Sequence, residues 1–526
     1  MTSILKYLNR ALLVLLLAAF AACSDNEGGN ESNGNGDDGN TETPADGDTY
    51  GYIKDTNGNP VEGVVVSDGY SCTATDAEGR YALTRNADAG FVFYSLPSAY
   101  KVSVDKTYKL PRFFARLQAG TARYDFTLEA LAAPEKRFDL ICIGDPQINE
   151  ASHAVRFKEE AGREIREYAA SAGVPCYGIT LGDHVNNKWT LFTNMVVALQ
   201  PEQTGVPVFA TIGNHDHEFP TADEKAARAK YESYFGPVDY SFNRGDVHVV
   251  SMDNVIHSCK ASADYEGGFT AAQYAWLKQD LSFVPKDKMV ILCVHIPFRG
   301  GWGTNSAHAD ADKYYDEVLD LLSQYEYAAI MSAHTHSNIN YIHRKNGKEI
   351  FEHVTGTTCG AWWRSTVCTE GTPIGFGLYR IDGNRMEEWA YRSVRHDEQF
   401  QIRLYRASDT FVGGAKYRFK QTGADQIVAN IWNWDPSWTV NVYENDVLSG
   451  QMTRNSDIDA WTVAYHIGLL NNTDSYRKSS DHMFHYTLKN PAAAVRVEAI
   501  DRFGNKYEQT VFTDQAEHPG DFHADF

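Results

Sequence analysis

Three hydrophobic patterns follow one another along this chain, and each predicts a different architecture. From residue 50 to about 131, short apolar runs alternate with polar positions. They are cut by turn-forming strings: Asn57-Gly58-Asn59-Pro60, Asp68-Gly69 and Glu78-Gly79. A period of two predicts half-buried strands joined by tight turns. From about 134 to 396 the runs become more uniformly apolar, at 138–143, 177–181, 208–212, 247–252, 289–295 and 328–331. Such runs predict strands covered on both faces. Helices are expected between them, at 154–170 and 273–281. Thr270 opens the second, with Gln273 three residues on, which is the spacing of a capping box. Strands alternating with helices predict a layered α/β domain. From about 400 to 526 the period of two returns, with strands expected at 401–406, 439–444 and 493–500. This last segment holds Trp432, Trp434, Trp438 and Trp461 but no reactive cluster.

Composition narrows the class. The 526 residues are 43% hydrophobic and 22% charged, which is ordinary for globular proteins and too long for one domain. The formal charge of −21 argues against nucleic-acid binding, which rests on cationic side chains neutralising phosphates. The first residues form an address. Lys6 and Arg10 precede an apolar run at 11–22, shorter than the roughly 20 residues a spanning helix needs. Ala21 and Ala22 then precede Cys23. This start resembles a bacterial lipoprotein signal, in which residues 1–22 are removed and Cys23 becomes the lipidated first residue. The match has Phe20 where such signals usually carry Leu, and plain secretion with cleavage near Ala22 is the alternative. The expectation is an exported outer-membrane lipoprotein facing periplasm or cell surface, touching the membrane through its lipid anchor only. Residues 23–49, rich in Gly, Asp and Glu, read as a flexible acidic tether. Of the eight Cys, Cys142 and Cys293 fall in apolar runs and read as buried thiols. Cys359 and Cys368 are close enough in sequence for a loop disulfide.

In the middle segment, chemistry-bearing residues follow the expected strands. Gly144-Asp145-Pro146-Gln147 follows the first and Gly182-Asp183 the second. Gly213-Asn214-His215-Asp216 follows the third, then come His295 and the string Ala333-His334-Thr335-His336. Ligands of open α/β sheets bind beyond the carboxyl ends of strands, so these clusters are placed to converge. Oxygen donors mixed with imidazoles suit Mn, Fe or Zn, and seven donors are too many for one tetrahedral ion.

These five motifs, in this order, resemble those of the calcineurin-like metallophosphoesterase superfamily. The resemblance covers the middle segment. The string from Gly58 to Leu83 is similar to small Ig-like sandwiches that precede secreted bacterial domains. Together they imply an α/β fold: a layered metallophosphoesterase core of β-sheets flanked by helices (134–396), an N-terminal Ig-like β-sandwich (50–131) and a C-terminal β-rich domain (400–526). The resemblance implies two divalent metal ions, drawn from Mn, Mg, Fe or Zn. Asp145, Gln147 and His336 would hold the first, Asp183 would bridge, and Asn214, His295 and His334 would hold the second. His215 would face the substrate and donate to a phosphoryl oxygen or protonate the leaving oxygen, oriented by Asp216. The implied reaction is hydrolysis of a phosphate ester by a bridging hydroxide, outside the cytoplasm. Phosphodiester or pyrophosphate cleavage, and a binding lipoprotein without turnover, are the alternatives. The partner would be a phosphorylated small molecule or other phosphate ester; the sequence sets no oligomeric state. Two positions depart from the family pattern. Ala333 replaces a Gly of similar size, and Gln147 stands where many members carry His. A neutral amide oxygen is the harder donor and biases that site towards Mn or Mg over Zn.

Weaker candidates surround the motifs. Arg299 and His308, in one loop, could contact phosphate, and for His308 an ordinary solvated histidine is an equal reading. Trp362, Trp363 and Arg364 either line the substrate cleft or pack the middle domain against the third. Asp253-Asn254 is expected to buttress the site, whereas His184 and His217 read as structural.

Overall fold

The computed structural model describes residues 47–299, 313–407, 425–470 and 478–510. The signal segment, Cys23, nearly all of the tether and His308 lie outside the described residues.

The central layers are two facing β-sheets. Their strands are β1 (Arg137–Ile143), β2 (Cys176–Leu181), β3 (Val208–Thr211), β4 (Tyr240–Arg244), β5 (Val247–Ser251), β6 (Val255–His257), β7 (Tyr265–Gly267), β8 (Met289–Cys293), β9 (Tyr327–Ser332), β10 (Ile339–Lys345), β11 (Lys348–Val354), β12 (Gly375–Asp382) and β13 (Arg385–Ser393). One sheet runs β3-β2-β1-β12-β13, the other β4-β5-β8-β9-β11-β10, and β6 and β7 form a separate hairpin. Strands β1, β2 and β3 are mutually parallel, as are β5, β8, β9 and β11. Each parallel set therefore delivers its carboxyl ends to one edge, which is where the motif residues sit. The expected apolar runs are buried along nearly their whole length, because sheet packs on one face and helix or sheet on the other.

Helices cover the outer faces. The expected helix at 154–170 is a longer rod broken in register: Ala151–Phe157 and Arg163–Ser171 are joined by a π-helical turn, Lys158–Gly162. The helix Ala271–Ser282 begins with the anticipated capping box. The Gln273 amide donates to the Thr270 hydroxyl at 3.2 Å, and the Thr270 amide donates to Gln273 Oε1 at 2.9 Å.

The N-terminal strands form a three-stranded and a four-stranded sheet, from Thr49–Asp55 to Phe126–Leu128. They do not stand apart from the centre. Ile53, Val66 and Phe93 belong to the same continuous apolar core as Val249 and Ile291. The Trp276 indole donates to Ser67 Oγ at 3.0 Å across that boundary. The C-terminal strands form two four-stranded antiparallel sheets with their own core, which includes Ile427, Trp438 and Val497.

Candidate metal centre

Three of the five motifs leave their strands through an uncommon backbone turn. Asp145, Gln147, Asp183, His334 and His336 all have positive φ, from 36° to 63°. Side chains rarely adopt that region, at a cost on the order of 1–3 kcal/mol each, and such residues concentrate at functional sites. The two motif glycines serve different ends. Gly182 has φ 95°, and a Cβ there would also lie 2.4 Å from His295 Nδ1. Gly213 is extended, with φ −121°, but a Cβ would meet the Asp183 amide at 2.2 Å. The second glycine is thus required for space and not for a turn.

The seven candidate ligands converge. Asp183 Oδ1 accepts from the His215 amide at 2.9 Å and lies 3.3 Å from His295 Nε2. Asp183 Oδ2 accepts from Gln147 Nε2 at 3.0 Å. His295 Nε2 also lies 2.9 Å from Asn214 Oδ1 and 3.1 Å from His334 Nδ1. His336 Nε2 lies 3.7 Å from Asp145 Oδ1. Three ligand atoms, from Asp183, His295 and His334, fall within 4.8 Å of one another. The His295 ring is oriented from behind by Leu181 O, 2.7 Å from Nδ1. Asn254 Oδ1 accepts from the His295 and Ile296 amides, so Asn254 supports the site as expected.

This donor set suits cations. Two buried acceptors, Asp145 Oδ1 and Gln147 Oε1, have no hydrogen-bond partner. Burial, with Asp183 adding to it, pushes the Asp145 carboxyl well above its usual range, against the pull of His295. Burial also works to raise Asp183, but His295, His215 and His334 outweigh it and hold Asp183 low. Burial lowers His334 and His336, the latter to about 3, so both are neutral donors. Burial would lower His295 too, but Asp183 and Asp145 lift it to about 9. Two carboxylates share this dry pocket with the neutral rings of His334 and His336, and a metal ion would supply the positive charge that His295 alone provides here.

Three expectations need correction. Asp216 does not orient His215. Its carboxylate accepts from Gly213 N, His184 N and Val185 N, and lies 2.9 Å from His184 Nδ1. Asp216 ties the loop after β2 to the loop after β3, because the turn at Asn214–Asp216 sends its side chain inward. His215 Nδ1 instead faces Asn187 Oδ1 at 2.8 Å. Trp363 does not line the cleft. It is 4% exposed, donates to Pro146 O at 2.9 Å and packs on His153 and Arg156 of the first core helix. Cys359 and Cys368 are both free, buried thiols; Thr357 Oγ1 lies against Cys368 and the sulfurs are not joined.

A cavity of about 180 Å³ opens over the ligands, lined by His215, Trp362, Tyr265 and Ser262 among others. Trp362 lies over His336, with centroids 4.8 Å apart. Both Trp362 and Trp363 have positive φ, and anchoring of Trp363 holds Trp362 in place. Arg299, whose guanidinium lies over Tyr341 at 5.5 Å, and the exposed Arg364 are not among the residues lining the cavity. Sequence reading missed Tyr265, whose hydroxyl lies 3.4 Å from His334 Nε2, and Asn187. Asn187 had a signal, since it follows Asp183 in the string Gly182-Asp183-His184-Val185-Asn186-Asn187. Tyr265, on a hairpin, had none.

Family models match most of the chain. Residues 124–338 match the model of the calcineurin-like phosphoesterase family. Residues 48–131 match its N-terminal and 352–507 its C-terminal companion models. The chain belongs to the calcineurin-like phosphoesterase family. It is similar to purple acid phosphatase 23 of Arabidopsis thaliana, 26% identical over 31% of this chain and 36% of that one. Purple acid phosphatase 18 of the same plant is 25% identical over 32% of this chain and 38% of its own length. The matched region thus spans under two-fifths of these curated relatives. Among solved structures, purple acid phosphatase PPD1 from yellow lupin (Lupinus luteus) overlays with a TM-score of 0.36, at 14% identity over 50% of this chain and 53% of that one. The 5'-nucleotidase precursor from Thermus thermophilus overlays at 0.30, with 12% identity over 49% of this chain and 54% of that one.

Proposed function

We propose that this protein is a metal-dependent phosphoesterase that works with two divalent ions, outside the cytoplasm, anchored by lipid on Cys23. The observation that supports two ions is the posture of Asp183. Its Oδ2 faces Gln147, beside Asp145 and His336, while its Oδ1 faces His295, beside Asn214 and His334. One carboxylate thus turns an oxygen to each of two donor groups. Asp145, Gln147, His336 and Asp183 Oδ2 would hold one ion. Asp183 Oδ1, Asn214, His295 and His334 would hold the other. When bound, the ions would supply an activated water at neutral pH and positive charge for phosphate oxygens.

The chain's own residues do the rest. His215 has Nδ1 committed to Asn187, which leaves Nε2 to meet a phosphoryl oxygen or to protonate the leaving oxygen. Trp362 walls the cavity against solvent and offers a face to the ester's organic part.

The test is to strip the chain of metal, reload it with Mn, Mg, Fe(II) or Zn, count bound ions and measure hydrolysis of p-nitrophenyl phosphate and bis-p-nitrophenyl phosphate. Two ions per chain with metal-dependent turnover is the expected result, and the preferred reporter separates mono- from diester chemistry. One ion per chain would sink the dinuclear reading. Two ions with no turnover of either reporter would favour a binding protein.

A further inference from the structure

The hairpin of β6 and β7 reaches the metal centre at two points. Ser262, between its strands, accepts from the Asn187 side-chain amide at 2.9 Å, and Asn187 faces His215. Tyr265, which opens β7, brings its hydroxyl to 3.4 Å from His334 Nε2. Both Ser262 and Tyr265 line the cavity over the candidate ligands. The Tyr265 ring is held from two sides. It pairs with His257 across the hairpin, with ring centroids 6.2 Å apart and planes 15° from parallel. It meets His334 edge-on, at 5.7 Å and 83°. The hydroxyl lies on the axis about which the ring flips, so a flip leaves it in place.

The contact with His334 has a direction. His334 Nδ1 faces the other candidate ligands, 3.1 Å from His295 Nε2, so Nδ1 is the nitrogen available to an ion. A neutral imidazole that ligates through Nδ1 carries its proton on Nε2. That N–H then donates to the Tyr265 oxygen. A phenol both accepts and donates, so the Tyr265 proton is left over. The hydroxyl has no other hydrogen-bond partner among the described residues. Tyr265 is only half-buried and lines the cavity, so this proton can turn to a bound molecule. Phosphoryl oxygens are anionic acceptors, which form the shorter and stronger class of bond with an O–H donor.

We propose that Tyr265 is a substrate-binding residue of this site: it accepts from His334 Nε2–H and donates its own O–H to a phosphoryl oxygen of the ester. This rests on the metal-dependent phosphoesterase reading above. The hairpin thereby serves the site twice, steadying His215 through Asn187 and meeting the phosphoryl group directly through Tyr265.

Tyr265→Phe keeps the ring and removes only the hydroxyl. The full chain and this variant are loaded with Mn, their bound ions are counted, and each is titrated with inorganic phosphate by calorimetry. The kcat and KM for p-nitrophenyl phosphate are measured alongside, and metal affinity by competition with a chelator. The variant should hold two ions and melt like wild type. It should bind phosphate about tenfold more weakly and lose at least about tenfold in kcat/KM. A hydroxyl that only steadied His334 would lower metal affinity and leave phosphate binding by the fully loaded variant unchanged, and that result would overturn the proposal. Phosphate and metal affinities both equal to wild type would overturn it too, with the phosphoesterase reading intact. A wild-type chain that holds two ions yet neither binds phosphate nor turns over the ester would sink that reading and this proposal together.

Discussion

Asn187 Oδ1 sits 2.8 Å from His215 Nδ1, and the Asn187 amide nitrogen donates to Ser262 Oγ at 2.9 Å. Asn187 thus spans Ser262 and His215, with its amide nitrogen towards the hydroxyl and its oxygen towards the imidazole. Asn187 therefore holds His215 with Nδ1 protonated and Nε2 free for the cavity, using a neutral acceptor and not a carboxylate.

Asn187→Ala should lower turnover by about 10–100-fold, the usual cost of losing an orienting partner, with metal content and melting close to wild type. Asn187→Asp keeps an acceptor and should retain most activity. His215→Ala should lose about 10²–10⁴ in rate and still bind two ions. Asp216→Ala should behave differently, because it strips partners from three backbone amides and the His184 ring. It should lose about 3 kcal/mol or more of stability and lose metal as well. A stable, metal-replete Asp216→Ala enzyme with the activity of Asn187→Ala would reverse the assignment.

Gln147 is expected to set metal preference. Its Oε1 is a buried acceptor without a partner, and its backbone φ of 36° is one that His also tolerates. Gln147→His should raise Zn affinity about tenfold, or about 1.4 kcal/mol, and weaken the preference for Mn and Mg. Competition titration with a chromophoric chelator measures this. Unchanged Zn affinity would mean that Gln147 is not a ligand.

Arg403 and Asp459 form a buried pair that braces the segment after Trp362. Arg403 Nη1 donates to Asp459 Oδ2 at 3.0 Å and to Gly371 O at 2.8 Å, and its guanidinium lies 3.8 Å from the Trp461 ring. Arg403→Met leaves Asp459 buried without its cation and should cost about 3–5 kcal/mol in chemical denaturation. Adding Asp459→Leu should recover part of that loss. A double variant no more stable than Arg403→Met would show that the charges do not act as a pair.

Asp239 gives stability a pH dependence. Burial and the nearby Asp253 push its carboxyl up to about 7, against the pull of Arg228. Between the unfolded value near 3.8 and the folded value, the native chain holds a proton that the unfolded chain has released. Stability from this group therefore falls as pH rises from about 4 to 7 and is flat above that. Asp239→Asn should melt about 2–4 °C above wild type at pH 8, with the gap closing towards pH 4. Parallel melting curves at both pH values would rule this out.

The sequence by itself determined what is local or ordered along the chain. The capping box at Thr270 and Gln273 was legible because its partners are three residues apart. The convergence of the candidate ligands was legible because each directly follows an apolar run, and parallel strands bring their carboxyl ends to one edge whatever the loops do. Tertiary structure alone decided which neighbours those ligands acquired. Asp216 adjoins His215 in sequence, yet the turn there buries one side chain and half-exposes the other, so they take different partners. Asn187 reaches His215 across 28 positions because β2 and β3 are neighbours in the sheet. Trp362 and Trp363 are adjacent and chemically identical, and a pair of positive φ values sends the first over His336 and the second into the core. Alternation showed that the N-terminal strands have a buried face. It could not show that their core continues into the central sheets, because a period of two fixes which side chains turn inward and leaves open what they meet there.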